Sequence, residues 1–384
     1  MLVTYRFRLY PTRPQERLMA ETLETCRRLY NSLLADRREN RTGFYQEQHS
    51  LIARKSESGY LRAVHSQVLQ DVNIRLDRSF EAFFVGLAGR PRFKQKERYN
   101  SFRYPQVGGF RVIEGRLRLS KIGSLKMRIH RPIEGMPKTC TIVRDIDQWY
   151  ACISGATEPR TSAERMNDGK PVGVDLNVSN LATLSDDRVF ENPRHLGNSI
   201  IRLKTLQRRL SRKKKGTNNR EKSRVALAKI WRKVRRQRTD TNQKVSRCLA
   251  NNYSTIIFED LKIPNMVKNH NLASAIMDAS WGQLRRLTAY KAERRGRRVL
   301  LVEPRGTSQK CSGCGEVVPK ELSQRVHRCP RCELTLDRDV NAARNILKLG
   351  LEQARVEKQP LLVQKRRISR FAPMKQESDG FSRW

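Results

Sequence analysis

Four cysteines fall in two pairs, Cys311-Ser-Gly-Cys314 and Cys329-Pro-Arg-Cys332, with 14 residues between the pairs. Each Cys-x-x-Cys turn offers two thiolates, and two such turns complete the tetrahedral four-sulfur set of a structural zinc ribbon. A thioredoxin-like redox centre would need a single pair, and the segment between these two is too polar for a buried thiol core. The expected ligands of one Zn²⁺ are Cys311, Cys314, Cys329 and Cys332, with His327 a bystander. Carboxylates make a second set. Asp175 closes the apolar run Pro171-Val-Gly-Val-Asp175, Glu259 closes Thr255-Ile-Ile-Phe-Glu259, and Asp339 opens Asp339-Val-Asn-Ala-Ala-Arg-Asn-Ile346. An acid ending a desolvated strand needs a partner or a metal. If the two strands are neighbours, their acidic ends converge and the helix start adds a third carboxylate. Such a hard-oxygen set suits two Mg²⁺ or Mn²⁺ ions acting on a phosphodiester. Taken singly, each acid reads equally well as a surface cap, and Asp337 competes with Asp339 for the active role.

Charge points to a polyanionic partner. The 384 residues carry 79 Lys plus Arg against 38 Asp plus Glu, a net +41. Self-repulsion of that size is relieved by phosphates, whose condensed counterions a basic surface releases. A ribosomal or membrane-adherent protein would explain the charge alone equally well. The densest run, Arg202 to Arg238, holds 17 basic residues and one acid, Glu221. Its candidate phosphate contacts are Arg208, Arg209, Arg212, Lys213, Lys214, Lys215, Arg232, Lys233, Arg235 and Arg236. Phe93, Tyr99, Phe102 and Tyr104 lie among basic residues and could stack on bases or fill a β-domain core; both readings stay open. Cys26, Cys140, Cys152 and Cys248 read as small buried hydrophobes, Phe258, Trp281 and Tyr290 as packing, and His130 and His195 as lacking partners. No apolar stretch approaches the roughly 18 residues of a membrane span, and the N-terminus is unlike a secretory leader. Clustered, reduced-type cysteines then favour the cytoplasm.

The elements that must position these residues follow from periodicity. Val3 to Leu9 alternates as a strand stopped by Pro11, and Thr12 with Gln15 permits a capping box for a helix from Gln15. A second helix runs from Val68 to Leu87, ended by Gly89 and Pro91. Residues 92–153 carry short β-type runs, so a small β domain takes Val3 to Leu9 as one strand with the helices inserted. After a polar junction at 158–170, strands are expected at 171–175, 181–184, 188–190, 255–259 and 299–302. Helices are expected at 200–210, 221–249 and 281–294, and one opens near Asp339. Beyond Leu349 the pattern dissolves into a basic tail.

Gly173-Val-Asp175, Ile257-Phe-Glu259-Asp-Leu261, the double Cys-x-x-Cys and Asp337-Arg-Asp339-Val-Asn-Ala-Ala-Arg-Asn-Ile346 together resemble TnpB. That is the RNA-guided nuclease family of bacterial and archaeal insertion sequences, related to the type V CRISPR effectors. Softer matches are Tyr10-Pro11, residues 89–94, 210–216 and 290–296, and the resemblance covers about residues 1–350. It implies a RuvC-type nuclease of RNase H-like fold with an Asp, Glu, Asp triad, which falls on Asp175, Glu259 and Asp339 and decides between Asp337 and Asp339. It further implies a guide RNA from the transposon end, a short motif flanking the target, and cleavage of double-stranded DNA. The chain departs from the pattern at Asn177 and Glu333, where Gly is usual.

The expected fold is thus multidomain, α/β and α+β. Residues 1–12 and 91–157 form a wedge-like β-barrel, 13–90 a helical recognition domain, 168–304 and 337–350 the nuclease domain, 305–336 the zinc ribbon, and 351–384 the tail. Two other functions fit the same residues: a catalytically weak accessory protein that binds nucleic acid, or a transposase or integrase of RNase H-like fold.

Overall fold

A computed structural model describes residues 2–156, 169–321 and 324–356. Two compact units divide the chain: Met1–Pro159 with Lys213–Lys229, and Arg160–Arg212 with Ile230–Trp384. Lys213–Lys229, expected inside the nuclease domain, therefore group with the N-terminal residues.

In the first unit, strand β1 (Leu2–Tyr10) alternates so that Val3, Tyr5, Phe7 and Leu9 are buried. It pairs antiparallel with β7 (Gln148–Ala156) and β5 (Gly123–Arg128), which places the chain's first strand inside the sheet. The seven strands run in the order β2 (Ser101–Tyr104), β6 (Met136–Asp145), β7, β1, β5, β4 (Arg116–Leu119), β3 (Phe110–Ile113). Among the described residues the edge strands β2 and β3 share no ladder. Tyr104 instead donates its hydroxyl to the Ser120 carbonyl at 3.0 Å, and its ring lies where a Cβ on Gly109 would come within 2.5 Å.

Between β1 and β2 lie α1 (Arg13–Glu39), α2 (Phe44–Glu57), α3 (Gly59–Arg62) and α4 (Ser66–Phe84). At the head of α1, Gln15 Oε1 accepts from the Thr12 N–H at 3.0 Å, one arm of the expected box. Met19, Leu33 and Leu76 from the helices share one hydrophobic core with Phe7, Phe102 and Leu125 from the sheet, so the two expected domains are fused through common packing. Helix α2 escaped the periodicity reading because Leu51 is its one buried apolar residue. Helix α4 stops at Phe84, three residues earlier than expected, and Gly86 follows at φ +72°. Tyr99, Phe102 and Tyr104 are core residues at 7%, 1% and 1% exposure, which decides against base stacking for those three. Phe93 is exposed beneath the Arg38 guanidinium.

The second unit is built on a five-stranded sheet of order β10 (Val189–Glu191), β9 (Asn180–Leu184), β8 (Val172–Asp175), β11 (Thr255–Glu259), β12 (Arg298–Val302). The first three strands are antiparallel, and β8, β11 and β12 are parallel. Strands β8 and β11 read as continuous apolar runs because both faces are covered. Helices α8 (His270–Ala279) and α9 (Trp281–Arg294) contribute Ile276, Trp281 and Leu284 to a core with Phe258 and with Leu249 of α6 (Asn218–Asn252). Helix α10 (Arg338–Val356) lies directly on the backbones of β8 and β11. A Cβ at Gly173 would sit 2.0 Å from the Ala343 carbonyl, and one at Gly350 would sit 2.5 Å from Ile257, so only glycine permits this approach. Helix α10 continues to Val356, past Leu349 where the pattern was expected to dissolve. Residues 357–384 of the expected tail and 157–168 of the expected junction lie outside the described residues. No described helix is long and apolar enough to cross a membrane.

Candidate metal centres

Because β8 and β11 are parallel neighbours with Val174 opposite Phe258, their terminal acids emerge side by side. The close approach of α10 brings Asp339 to the same end. Asp175, Glu259 and Asp339 are 9%, 6% and 6% exposed. The Asn177 amide nitrogen donates to Asp175 Oδ2 and to Asp339 Oδ2, each at 3.0 Å. Asn177 Oδ1 accepts from the Asn180 N–H at 2.7 Å, which fixes the amide's direction. Glu259 accepts from the Thr307 hydroxyl at 2.6 Å.

The neighbouring acids face elsewhere. Asp337 Oδ1 accepts from the N–H groups of Asp339 and Val340 at 2.8 and 3.3 Å, so Asp337 caps α10 and leaves the Asp339 carboxylate free to turn inward. Asp260 pairs with Lys262 and lies 3.5 Å from Arg285.

Electrostatically the three inward acids are strained. Burial, then the charges of Glu259 and Asp339, push Asp175 up to about 7, against the relief given by Asn177. Burial raises Glu259 despite Thr307, and burial followed by Asp337 raises Asp339. Asp339 has Arg338 at 3.6 Å and Arg325 at 3.9 Å, whereas Asp175 and Glu259 have no ion pair among the described residues. Such a site favours added positive charge. The three acids are not gathered as tightly as a single-ion cage: among the described residues the one group of ligand atoms all within 4.8 Å is the four cysteines.

Cys311 Sγ lies 3.6 Å from Cys332 Sγ, and Cys314 Sγ lies 3.5 Å from Cys329 Sγ. Four thiolates at about 2.3 Å from one zinc would stand about 3.8 Å apart, so the spacing fits the ion and is far too long for disulfides. His327 is outside the group, fully buried with Nδ1 against Lys320. Glu333, following the last cysteine, has φ +59°, the left-handed turn for which glycine is suited.

Three side chains at helical spacing on α10 grip the first cysteine turn. Asn341 Oδ1 accepts from the Ser312 N–H at 2.8 Å, and its amide donates to the Lys310 carbonyl at 2.7 Å. Asn345 donates to the carbonyls of Thr307 and Lys310 at 2.8 and 2.7 Å, and Lys348 donates to the Ser312 carbonyl. The sequence reading missed these residues and Thr307, and registered Asn177 only as a departure from glycine. The i, i+4, i+7 spacing of Asn341, Asn345 and Lys348 was the available signal.

Of the basic candidates, Arg208, Arg209 and Arg212 are exposed in or at the end of α5 (Ile200–Ser211), as are Lys214 and Lys215 after it. Lys213 is half-buried. On α6, Lys233, Arg235 and Arg236 are exposed, but Arg232 is 8% exposed and so does not share their open face. His195, expected without a partner, has Nε2 3.0 Å from the Thr241 hydroxyl, and His130 packs edge-on to Phe7. Cys26 and Cys140 are buried as expected, while Cys152 and Cys248 are partly exposed.

Family models match over most of the chain: "Helix-turn-helix domain" at residues 1–43, "Probable transposase" at 154–270, and "Cas12f1-like, TNB domain" at 281–346. "Putative RNA-guided DNA endonuclease InsQ" of Escherichia coli (strain K12) is 34% identical over 373 residues, 91% of this chain and 92% of that protein. The chain belongs to the TnpB/Cas12f1-like family of RNA-guided DNA endonucleases of IS605-type transposons. A second relative, "Putative RNA-guided DNA endonuclease" of Streptomyces pristinaespiralis, is 34% identical over 90% of this chain and 89% of that protein. "CRISPR-associated endodeoxyribonuclease Cas12f1" of Sulfoacidibacillus thermotolerans is 27% identical over 52% of the chain and 50% of that protein. The fold also resembles a Cas12f1 in a complex with single guide RNA and target DNA, with TM-score 0.55 and 13% identity over 90% of this chain and 98% of that one. The family model for residues 1–43 is described as helix-turn-helix, yet those residues form β1, α1 and the loop after it.

Proposed function

We propose that this TnpB-family chain is an active RNA-guided endonuclease that hydrolyses double-stranded DNA with Asp175, Glu259 and Asp339 as its catalytic carboxylates. The observation that carries this reading is the meeting of these three buried acids at one end of β8, β11 and α10, two of them without an ion-pair partner. Their hard-oxygen chemistry and raised proton affinities fit Mg²⁺ or Mn²⁺. When bound, such ions supply charge stabilisation to the attacking and leaving oxygens of a phosphodiester. The chain's own part is to hold the carboxylates before substrate arrives: Asn177 ties Asp175 to Asp339, Thr307 orients Glu259, and Asp337 caps the helix so that Asp339 turns inward. The four cysteines serve as a structural zinc site with no ligand position left open.

The partners in this reading are a guide RNA transcribed from the transposon end and target DNA beside a short flanking motif. Exposed Arg208, Arg209, Arg212, Lys214, Lys215, Lys233, Arg235 and Arg236, with half-buried Lys213, contact phosphates. Domain limits follow the family pattern: a wedge-like β-barrel (1–12, 91–157), a helical recognition domain (13–90), the nuclease domain (168–304, 337–350) and the ribbon (305–336). The setting is the cytoplasm of a prokaryote, beside the nucleoid.

The test is to sequence RNA that copurifies with the protein and to challenge the complex with plasmids that carry a matching target beside randomised flanking sequence. Mg²⁺-dependent linearisation of plasmids with a matching target supports the reading. Joining of DNA ends, or the absence of a defined bound RNA, contradicts it.

A further inference from the structure

Thr307 is 4% exposed, lies outside every element assigned to the acid cluster, and sits four residues before Cys311. Its hydroxyl has one proton and two acceptors in reach, Glu259 Oε1 at 2.6 Å and the Pro304 carbonyl at 3.1 Å. The charged, closer oxygen takes it. The Thr307 backbone is held in turn: Asn345 of α10 donates to its carbonyl at 2.8 Å and to the Lys310 carbonyl at 2.7 Å. Lys310 adjoins the first cysteine, and Asn341 clasps the same turn through Lys310 and Ser312. A continuous set of hydrogen bonds thus runs from the four-cysteine cluster, through one face of α10, to the carboxylate of Glu259. Glu259 depends on it, because Thr307 is its sole recorded side-chain hydrogen-bond partner among the described residues.

We propose that Thr307 is a positioning residue for Glu259, and that the four-cysteine ribbon, through Asn345, holds Thr307 in register. The ribbon then has a second duty besides its own folding: it fixes the rotamer of a carboxylate 52 residues before its first cysteine. This inference rests on reading Glu259 as a metal ligand.

The experiment measures Mn²⁺ binding by electron paramagnetic resonance on the zinc-loaded full chain without nucleic acid, alongside single-turnover cleavage by the guide-bound protein. Thr307→Val keeps the shape and removes the hydroxyl; it is expected to weaken Mn²⁺ binding by about 10–100-fold while Thr307→Ser stays within about threefold of wild type. Asn345→Ala is expected to retain its zinc and still lose Mn²⁺ affinity, which a purely local role for Thr307 would not produce. Wild-type Mn²⁺ affinity in Thr307→Val overturns the proposal, as does a Thr307→Ser variant no better than the valine. Should Thr307→Val fail to hold zinc or to unfold cooperatively, Asn345→Ala decides, and wild-type Mn²⁺ affinity there overturns the role of the ribbon. A wild-type protein that binds Mn²⁺ but cuts no guided target would instead count against the nuclease reading.

Discussion

Buried acids occur in both units, and they are treated in opposite ways. In the first, Glu47 is 2% exposed and accepts from Arg37 at 2.7 Å, and Asp71 is 2% exposed and accepts from Arg75 at 2.6 Å. Glu24, half-buried in the same unit, is held down to about 2, chiefly by its hydrogen bond from Arg27. In the second, Asp175, Glu259 and Asp339 are also buried, yet their closest partners are the neutral Asn177 and Thr307, only Asp339 has arginines within 4 Å, and all three are pushed up. A protein with 79 basic side chains does not leave Asp175 and Glu259 without ion pairs for want of supply. The first arrangement completes a fold. The second leaves Asp175 and Glu259 without an ion pair among the described residues, and on the proposed reading an added cation completes it.

The contrast breaks most visibly if the paired acids lose their arginines. Arg37→Ala strands Glu47, which also leaves Asp77 and Asn73 without their Arg37 contacts, and should lower stability by about 3–5 kcal/mol in chemical denaturation. Removing a site acid should do the reverse: Asp175→Asn is expected to stabilise the zinc-loaded, magnesium-free protein by about 2–4 kcal/mol at pH 7.5. The pH dependences also oppose each other. Asp175 binds its proton more tightly when folded, so its contribution is complete below its ordinary value of 3.8 and is lost as pH rises through about 7. Glu24 binds its proton less tightly when folded, so its contribution is present above 4.5 and lost as pH falls through about 2. Melting curves from pH 4 to 8 should show a downward slope that Asp175→Asn flattens and Mg²⁺ suppresses. An unchanged slope in the variant would assign the effect elsewhere.

Smaller effects are expected where charge or backbone belongs to neither class. Glu333→Gly removes a side chain from a left-handed turn and should raise the stability of the ribbon by about 1 kcal/mol, read from zinc retention against a competing chelator. Replacing Lys213, Lys214 and Lys215 with alanine should leave the melting temperature unchanged and reduce the slope of log K against log salt for nucleic-acid binding by about 2–3. An unchanged slope would place these lysines on a face that meets only solvent.

Much of the site was legible because its residues are chemically conspicuous. Two apolar runs each closed by an acid, and two Cys-x-x-Cys turns, announce themselves without a fold. What stayed hidden depended on direction and distance. That Asp337, and not Asp339, bends back to the helix N–H groups is a matter of one turn of backbone. Thr307 is an ordinary loop threonine until Glu259, 48 residues away in sequence, is seen against it. Tyr99, Phe102 and Tyr104 read equally as stacking or core residues because β2 is short and flanked by charge; only the shared packing of helices and sheet decides. Helix α2 buries too little to leave a periodic trace.

The central claim is that Asp175, Glu259 and Asp339 are the catalytic acids, and single-turnover cleavage of a guide-matched plasmid tests it most directly. Asp175→Asn, Glu259→Gln and Asp339→Asn should each cut at least roughly 10²–10³-fold more slowly while guide and target binding persist, because each removes a charge needed mainly in the transition state. Asp337→Asn and Asp260→Asn, which cap a helix and face Lys262, should lose far less. Near-wild-type cutting by any one triad variant would remove that residue from the assignment, and retention by all three would contradict the account.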